Sequence, residues 1–402
     1  MSIIKKIGLS FFIILGVIAI LLLINHKKIL RLLAVNSLFD KEVIIDNFQH
    51  MDGIFDTSAM KASDDPIILP RSEEDYQLPS TFKSKGNNYD ISEYLEETYT
   101  EGLMIIHRDT VIYEQYWLGL EADDPHISWS MSKSFTSLLI GQLIEAGDLS
   151  LDAEVQDILP QFIDSGYDGV SVKELLNMSS GVRFNEDYGD YDSDINRFGR
   201  TFALGKSLED FALTLTRERE PGTYNQYVSI DTQVLGLIIR ELTGQSITEL
   251  AQEQIWNRLG MQDDAYWIID NTGMEVTLGG LNASLRDYAK IGVLYLNEGN
   301  IGGDQVVSSE WVTASVTPDA PHLMPNQTET SSSLYGYGYQ WWVPQYPDND
   351  FFATGVYDQF VYVNTEKDLV IAKLSADHHY RQNRVEIKSA HIDLFQSIAK
   401  TF

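Results

Sequence analysis

The 402-residue chain has no cysteine, which excludes disulfides, thiol nucleophiles and cysteine-ligated metal sites. Basic residues are scarce: 29 lysines and arginines stand against 59 acids, a formal net charge of −30. Phosphate backbones are bound by basic surfaces, so nucleic acid is excluded as a partner and the acidity reads as solubility. No G-x-S-x-G segment is present, which argues against an α/β-hydrolase. No H-E-x-x-H is present either, and the eight histidines are scattered. The one adjacent pair, His378-His379, reads as loop and not as a metal site, so neither metal nor cofactor is expected. Internal repeats and low-complexity tracts are absent.

What is present describes a folded protein. Hydrophobic residues are 44% and charged residues 22%, and 21 Tyr, 17 Phe and 7 Trp supply material for a large core. Lys5 and Lys6 precede an apolar run, Ile7–Ile24, whose eighteen residues span about 27 Å as a helix, roughly one bilayer core. His26, Lys27, Lys28 and Arg31 follow, with no nearby A-x-A, so residues 1–31 are expected to form an uncleaved membrane anchor, a cleaved signal peptide being the second choice. The anchored domain is then expected to be periplasmic or extracellular. Residues 32–90 read as an irregular linker and wrapping segment, and residues 91–402 as one globular domain.

Within that domain, Asp90-Ile91-Ser92-Glu93 reads as a capping box opening a helix through about Thr98. Leu103–His107 and Val111–Trp117 read as a hairpin around Arg108-Asp109-Thr110. The stretch 130–137, SMSKSFTS, opens a helix that ends at Gly147-Asp148. Residues 149–310 carry mostly helical patterns, among them "SVKELLNMSSG" and "DTQVLGLIIRELTG", each expected to end at a glycine C-cap. Strand patterns return at Tyr335–Val343, Asp350–Gly355, Gln359–Asn364 and Leu369–Ser375, and a last helix covers about Asn383–Lys400. Strands at both ends and helices between them predict an α+β fold. It has an antiparallel sheet flanked by terminal helices, an inserted helical subdomain over about 149–310, and a site in the cleft between them.

Within SMSKSFTS one serine alone has a lysine three residues on: Ser130, with Lys133. On a helix, residues i and i+3 share a face. A lysine whose ammonium is destabilised by burial can take a serine proton, and the free N–H groups of a helix start can hold an oxyanion. S-x-x-K alone is weak evidence; its position, after a hairpin and at the head of a long apolar helix, strengthens it.

With its surroundings, "ISWSMSKSFTSLLIGQLIEAGDLSLDAEV" resembles the penicillin-recognising serine hydrolases, which include class C β-lactamases, D-peptidases, related esterases and 6-aminohexanoate-dimer hydrolases. The resemblance covers roughly residues 80–400. It implies the β-lactamase/transpeptidase-like fold and an acyl-enzyme mechanism with Ser130 as nucleophile and Lys133 as base. The family's Tyr-x-Asn or Tyr-x-Ser corresponds to Tyr227-Val228-Ser229 after Pro221-Gly222, which implies that Tyr227 relays a proton to the leaving group and Ser229 contacts substrate. Tyr224 is a rival without a serine two residues on. Serine at 229 fits the esterase and 6-aminohexanoate-dimer hydrolase branch. The Lys-Thr-Gly strand motif corresponds to Ala353-Thr354-Gly355, so the family's carboxylate-holding cation is missing. Gly355 keeps its close-approach role toward substrate, and the N–H groups of Ser130 and Val356 are the implied oxyanion donors. The loop "NMSSGVRFNEDYGDYDSD" would point Tyr188 at substrate, Gly279-Gly280 would border the cleft, and Trp341 or Trp342 would line an acyl pocket. The expected activity is hydrolysis of a small-molecule ester or amide. The alternatives are a β-lactamase or D-peptidase, which Ala353 disfavours, and a non-catalytic sensor or scaffold, which retention of Ser130, Lys133 and Tyr227 together disfavours.

Overall fold

The computed structural model describes residues 12–18, 20, 23–74 and 76–402. Three consecutive features of the sequence explain its centre. Leu103-Met104-Ile105-Ile106, Phe360-Val361-Tyr362-Val363 and Leu369-Val370-Ile371-Ala372 are apolar at every position, the pattern of strands covered on both faces. They lie in adjacent antiparallel strands, and their alternate residues divide between two cores.

The main elements in chain order are β1 (Thr100–His107), β2 (Thr110–Tyr116), α1 (Ser132–Ala146), α2 (Ser229–Thr243), α3 (Leu285–Leu296), β3 (Gly336–Tyr337), β4 (Trp342–Val343), β5 (Asp350–Gly355), β6 (Gln359–Asn364), β7 (Leu369–Ser375) and α4 (Tyr380–Ala399). The strands form one seven-stranded antiparallel sheet in the order β3-β4-β5-β6-β7-β1-β2. Leu103, Ile105, Phe360, Tyr362 and Ile371 pack against Leu394, Phe395 and Ile398 of α4. Met104, Val361, Val363 and Val370 face the opposite core, which holds α3 and α1. Gly292 lets α3 lie directly on the sheet, since a Cβ there would meet Val370 Cγ1 at 2.6 Å and Val361 Cγ1 at 2.8 Å. Helices and loops between α1 and α3 make the other wall of a cleft that runs along β5.

Several expectations are corrected. Tyr335–Val343 is not one strand but two short ones paired to each other. Gln340 turns the chain between them at φ 64°, and its buried side chain donates to the carbonyls of Leu175 and Leu176 and accepts from Thr232. The helix of "SVKELLNMSSG" is Val172–Leu176 and ends at Asn177, not at Gly181. Gly181 instead, at φ 73°, passes so close to Arg219 that a Cβ would lie 2.2 Å from its carbonyl oxygen. The wrapping segment is not wholly irregular: Thr57–Met60 is the edge of a second sheet with Ala265–Ile268, Leu281–Ala283 and His126–Ile127. That sheet delivers the chain to the turn that carries Ser130. Gly244, by contrast, ends α2 as expected, at φ 69°.

The expected membrane-spanning run Ile7–Ile24 lies partly outside the described residues. Among the described residues no helix is long and apolar enough to cross a membrane, so the anchor finds no support there. The described positions 12–18, 20, 23 and 24 expose their apolar side chains.

Candidate active site

The site begins where His126–Ile127 leaves the small sheet. Residues Trp129–Met131 form a 3-10 turn that leads into α1, and Trp129 takes a left-handed φ of 45° to enter it. Ser130 therefore sits at the head of α1, where backbone N–H groups and the positive end of the helix dipole are directed outward. The other hydroxyls of SMSKSFTS point inward and are occupied. Ser132 donates to Thr277 O (3.1 Å), Ser134 to Gln340 O (2.8 Å) and Ser137 to Tyr339 O (2.8 Å). They tie α1 to its surroundings and leave Ser130 as the one hydroxyl of the run that lines the cleft.

Lys133 is one turn into the helix and 1% exposed. Its Nζ donates to Ser130 Oγ at 3.1 Å and to the carbonyl oxygen of Leu278. Burial pulls its pKa down to about 7, against the opposing attraction of Glu186 and Asp231. Desolvation therefore wins, and a large share of Lys133 is neutral near neutral pH, able to accept a proton. The dipole at the start of α1 acts in the same direction.

Tyr227 packs on the other side of this pair, with Lys133 Nζ 5.4 Å from its ring centroid. Its hydroxyl interacts with the hydroxyls of Ser130 and Ser229, and burial holds it protonated. Trp342 stacks on its ring at 5.3 Å. Tyr224 does not line the cleft; it lies beneath the Arg219 guanidinium, 4.4 Å away. Ser229 is the first residue of α2 and, contrary to the expected contact with substrate, is fully buried and does not line the cleft, because its hydroxyl is turned to Glu186. Its hydroxyl is held at 2.5 Å by Glu186 Oε1, and its N–H donates to Glu186 Oε2 at 3.3 Å.

Thr354, Gly355 and Val356 line the cleft at the end of β5. Gly355 runs so close to the turn before Ser130 that a Cβ would lie 2.1 Å from Ser128 O and 3.0 Å from Trp129 Cβ. Glycine is thus required there by contact with the protein itself. Ala353 is buried, pairs with Val361 and does not line the cleft. Tyr188 lines it and donates to Glu186 Oε1 at 2.9 Å. Gly279 borders an adjoining cavity that also reaches Ser130, whereas Gly280 packs against Val276 and Ile268 and lines neither. Trp342 lines the cleft, whereas Trp341 is fully buried against Tyr295 and Phe351.

Sequence reasoning missed two carboxylates. Glu186 joins Ser229 and Tyr188, and burial raises its pKa. Asp231, fully buried on α2, accepts from Tyr167 (3.0 Å) and Ser180 (2.9 Å), and its Oδ2 has no partner among the described residues. Burial also raises its pKa. A signal for Asp231 was present: a carboxylate within the otherwise apolar "SIDTQVLGLII". Nothing local marked Glu186, which stands among exposed acids. Among the described residues Asp377, His378 and His379 bring ligand atoms close together, but they cluster in the turn after β7, outside the cleft, with the His379 side chain largely exposed.

The chain matches the family model described as Beta-lactamase over residues 91–393. A 6-aminohexanoate-dimer hydrolase from Paenarthrobacter ureafaciens is 30% identical over 294 residues, covering 71% of this chain and 75% of that protein. Esterase EstB from Burkholderia gladioli is 31% identical over 148 residues, 33% of this chain and 36% of that one. A solved structure of a candidate 6-aminohexanoate-dimer hydrolase from Bacillus anthracis superposes with a TM-score of 0.79 at 23% identity, covering 90% of this chain and 95% of that one. This last likeness is one of fold.

Proposed function

Because the chain belongs to the Beta-lactamase family and is a serine hydrolase within it, we propose that it cleaves a small-molecule ester or amide through an acyl-enzyme on Ser130. The observation that carries this reading is the 3.1 Å contact between Ser130 Oγ and a buried Lys133 whose pKa is lowered to about 7. Lys133 accepts the Ser130 proton as Oγ forms a bond to the substrate carbonyl carbon. The N–H groups of Ser130 and Val356 hold the resulting oxyanion. The bond to the leaving oxygen or nitrogen then breaks, and Tyr227 passes it a proton taken from Lys133. Water, deprotonated by the same pair, cleaves the acyl-enzyme and releases the acid. Tyr188 borders the substrate, held by Glu186, and the buried Ser229 supports Glu186 from behind. Relatives named as a 6-aminohexanoate-dimer hydrolase and an esterase support the ester-or-amide class. The buried Ala353, in place of a cation, weighs against a β-lactam or peptide carboxylate held from β5.

Hydrolysis of p-nitrophenyl butyrate tests the reading: Ser130→Ala is expected to abolish it, and persistent turnover by that variant overturns the assignment. We also retain an N-terminal anchor and an exported domain as a proposal, supported by the apolar sequence of Ile7–Ile24. Protease added to intact cells is expected to digest the domain, whereas digestion only after lysis sinks the proposal.

A further inference from the structure

The turn that carries Ser130 and the turn that carries Val356 both contain left-handed residues, and one aromatic cluster touches both. Trp129, just before Ser130, has a φ of 45°. Tyr357 and Asp358, just after Val356, have φ of 62° and 72°. Residues with side chains rarely adopt this region and keep it only where surrounding contacts hold it. Gln359 ties the second turn to the sheet: its amide donates to the carbonyls of Val356 (3.3 Å), Tyr357 (2.9 Å) and, on β7, Ser375 (2.6 Å). Nothing in that network reaches Trp129.

Two phenylalanines do, and both come from the segment before the family-matched span of residues 91–393. Phe39 stacks on Tyr357, with ring centroids 4.6 Å apart and planes 10° from parallel, and lies 5.6 Å from Trp129. Phe48, which is fully buried, meets Trp129 and Tyr357 edge-on, each at 5.4 Å. The two phenylalanines meet each other at 6.2 Å. Each therefore bridges the two turns, at separations where ring pairs attract beyond their burial. The Trp129 indole N–H has no hydrogen-bond partner among the described residues, so packing sets its place. The Tyr357 hydroxyl accepts from Arg381 at 2.9 Å, and that guanidinium lies 4.7 Å from the Phe39 ring centroid. The segment is itself pinned beside the first turn. Phe48 lies on the helix Ile44–Gln49, and Gln49 donates to Glu101, which is joined to His126 Nε2 at 2.9 Å.

We infer that Phe39 and Phe48 are positioning residues: they fix the separation of the Ser130 and Val356 N–H groups, so that residues 39–48 complete the oxyanion hole. This rests on the acyl-enzyme reading given above and adds to it a requirement for a segment outside the family-matched span. Hydrogen bonds weaken steeply as distance and angle depart from their optimum, and a misplacement of about 1 Å costs on the order of 10²-fold in rate. Phe39 also borders the cavity adjoining the cleft, whereas Phe48 lines neither cavity that reaches Ser130, so an effect at Phe48 cannot come from contact with substrate there.

The test uses the full chain with p-nitrophenyl butyrate and its thiono analogue, in which sulfur replaces the carbonyl oxygen. Sulfur is a larger and weaker acceptor, so N–H groups set for an oxyanion favour the ester. Phe48→Leu and Phe39→Leu keep an apolar side chain and remove the ring contacts. Each is expected to lower kcat on the ester by about 10- to 10²-fold with little change in KM, and to lower the ester-to-thionoester ratio of kcat/KM by about tenfold. The acid limb of the pH profile, proposed to report Lys133, should stay in place. Near-ultraviolet circular dichroism and thermal melts report folding. Phe39 is only partly buried, so Phe39→Leu serves as the second variant if Phe48→Leu does not fold. Unchanged ester turnover in a folded variant, equal fractional losses on ester and thionoester, or an acid limb that moves overturns this inference and leaves the serine-hydrolase reading standing. No turnover of either substrate by the wild type, together with no fluorophosphonate labelling of Ser130, overturns both.

Discussion

Replacing Glu186 by glutamine keeps the size of a side chain that touches Ser229 at 2.5 Å and Tyr188 at 2.9 Å and removes its charge. In the wild type, burial brings Lys133 to about 7 while Glu186 and Asp231 pull in the opposite direction. Taking away one of the two opposing carboxylates leaves desolvation less opposed, so the lysine falls further. A nearby opposite charge is worth about one to three pKa units, and the half-buried position of Glu186 places its effect at the low end, about one. With the neutral lysine as the proposed base, kcat/KM should climb with pH through this pKa. The climb should occur about one pH unit lower in Glu186→Gln. At about pH 6, a lysine of pKa about 7 is roughly one-tenth neutral and one of pKa about 6 is half neutral. Activity at that pH, normalised to each enzyme's own plateau, should therefore rise about fivefold. The assay is kcat/KM for p-nitrophenyl butyrate from about pH 5 to about pH 9 at fixed ionic strength. Normalisation removes any uniform loss from disturbing Tyr188 or Ser229. An acid limb that stays in place, or moves to higher pH, refutes the assignment of Glu186 as a charge acting on Lys133.

Further outcomes follow from the same geometry. Tyr227→Phe should lower kcat about 10²- to 10⁴-fold on an amide and far less on a p-nitrophenyl ester, whose leaving group needs no proton; equal losses on both would contradict the relay. Gly355→Ala puts a Cβ 2.1 Å from Ser128 O and should lower stability by about 1–3 kcal/mol in urea unfolding while disabling turnover; a stable, active variant would contradict the close approach. Lys133→Met should lack activity and gain thermal stability at low pH. The folded-state pKa of Lys133, about 7, lies below its ordinary value of 10.5. Between those values the unfolded chain binds more protons, so the burial penalty is full below pH 7 and fades as pH rises toward 10.5. The Tm difference between variant and wild type should therefore shrink with pH, and a difference that grows with pH would contradict it.

The parts of this molecule legible in its sequence are those whose signals are local. β5, β6 and β7 show runs of apolar and β-branched residues between turns, and they fold over the expected spans. S-x-x-K at the head of an apolar helix brought Ser130 and Lys133 together because helical spacing alone sets that contact. Tyr227 and Gly355 were reached through resemblance, since nothing in either local segment states that it approaches residue 130. Glu186 was not legible. It lies in a loop of acids and tyrosines that reads as solvated, and its partner Ser229 is 43 residues on. The break at Gln340 was hidden for a similar reason: the carbonyls and hydroxyl that satisfy its side chain come from Leu175, Leu176 and Thr232. The cleft as a whole was not legible, because its walls come from separate segments spread between residues 130 and 389.

Intact-mass spectrometry of the full chain after treatment with a fluorophosphonate, followed by peptide mapping, tests the central claim most directly. The account predicts a single phosphonyl adduct on Ser130, formed more slowly in Lys133→Ala and absent in Ser130→Ala. An adduct on Ser132, Ser134 or any other hydroxyl, or one that persists in Ser130→Ala, would contradict it.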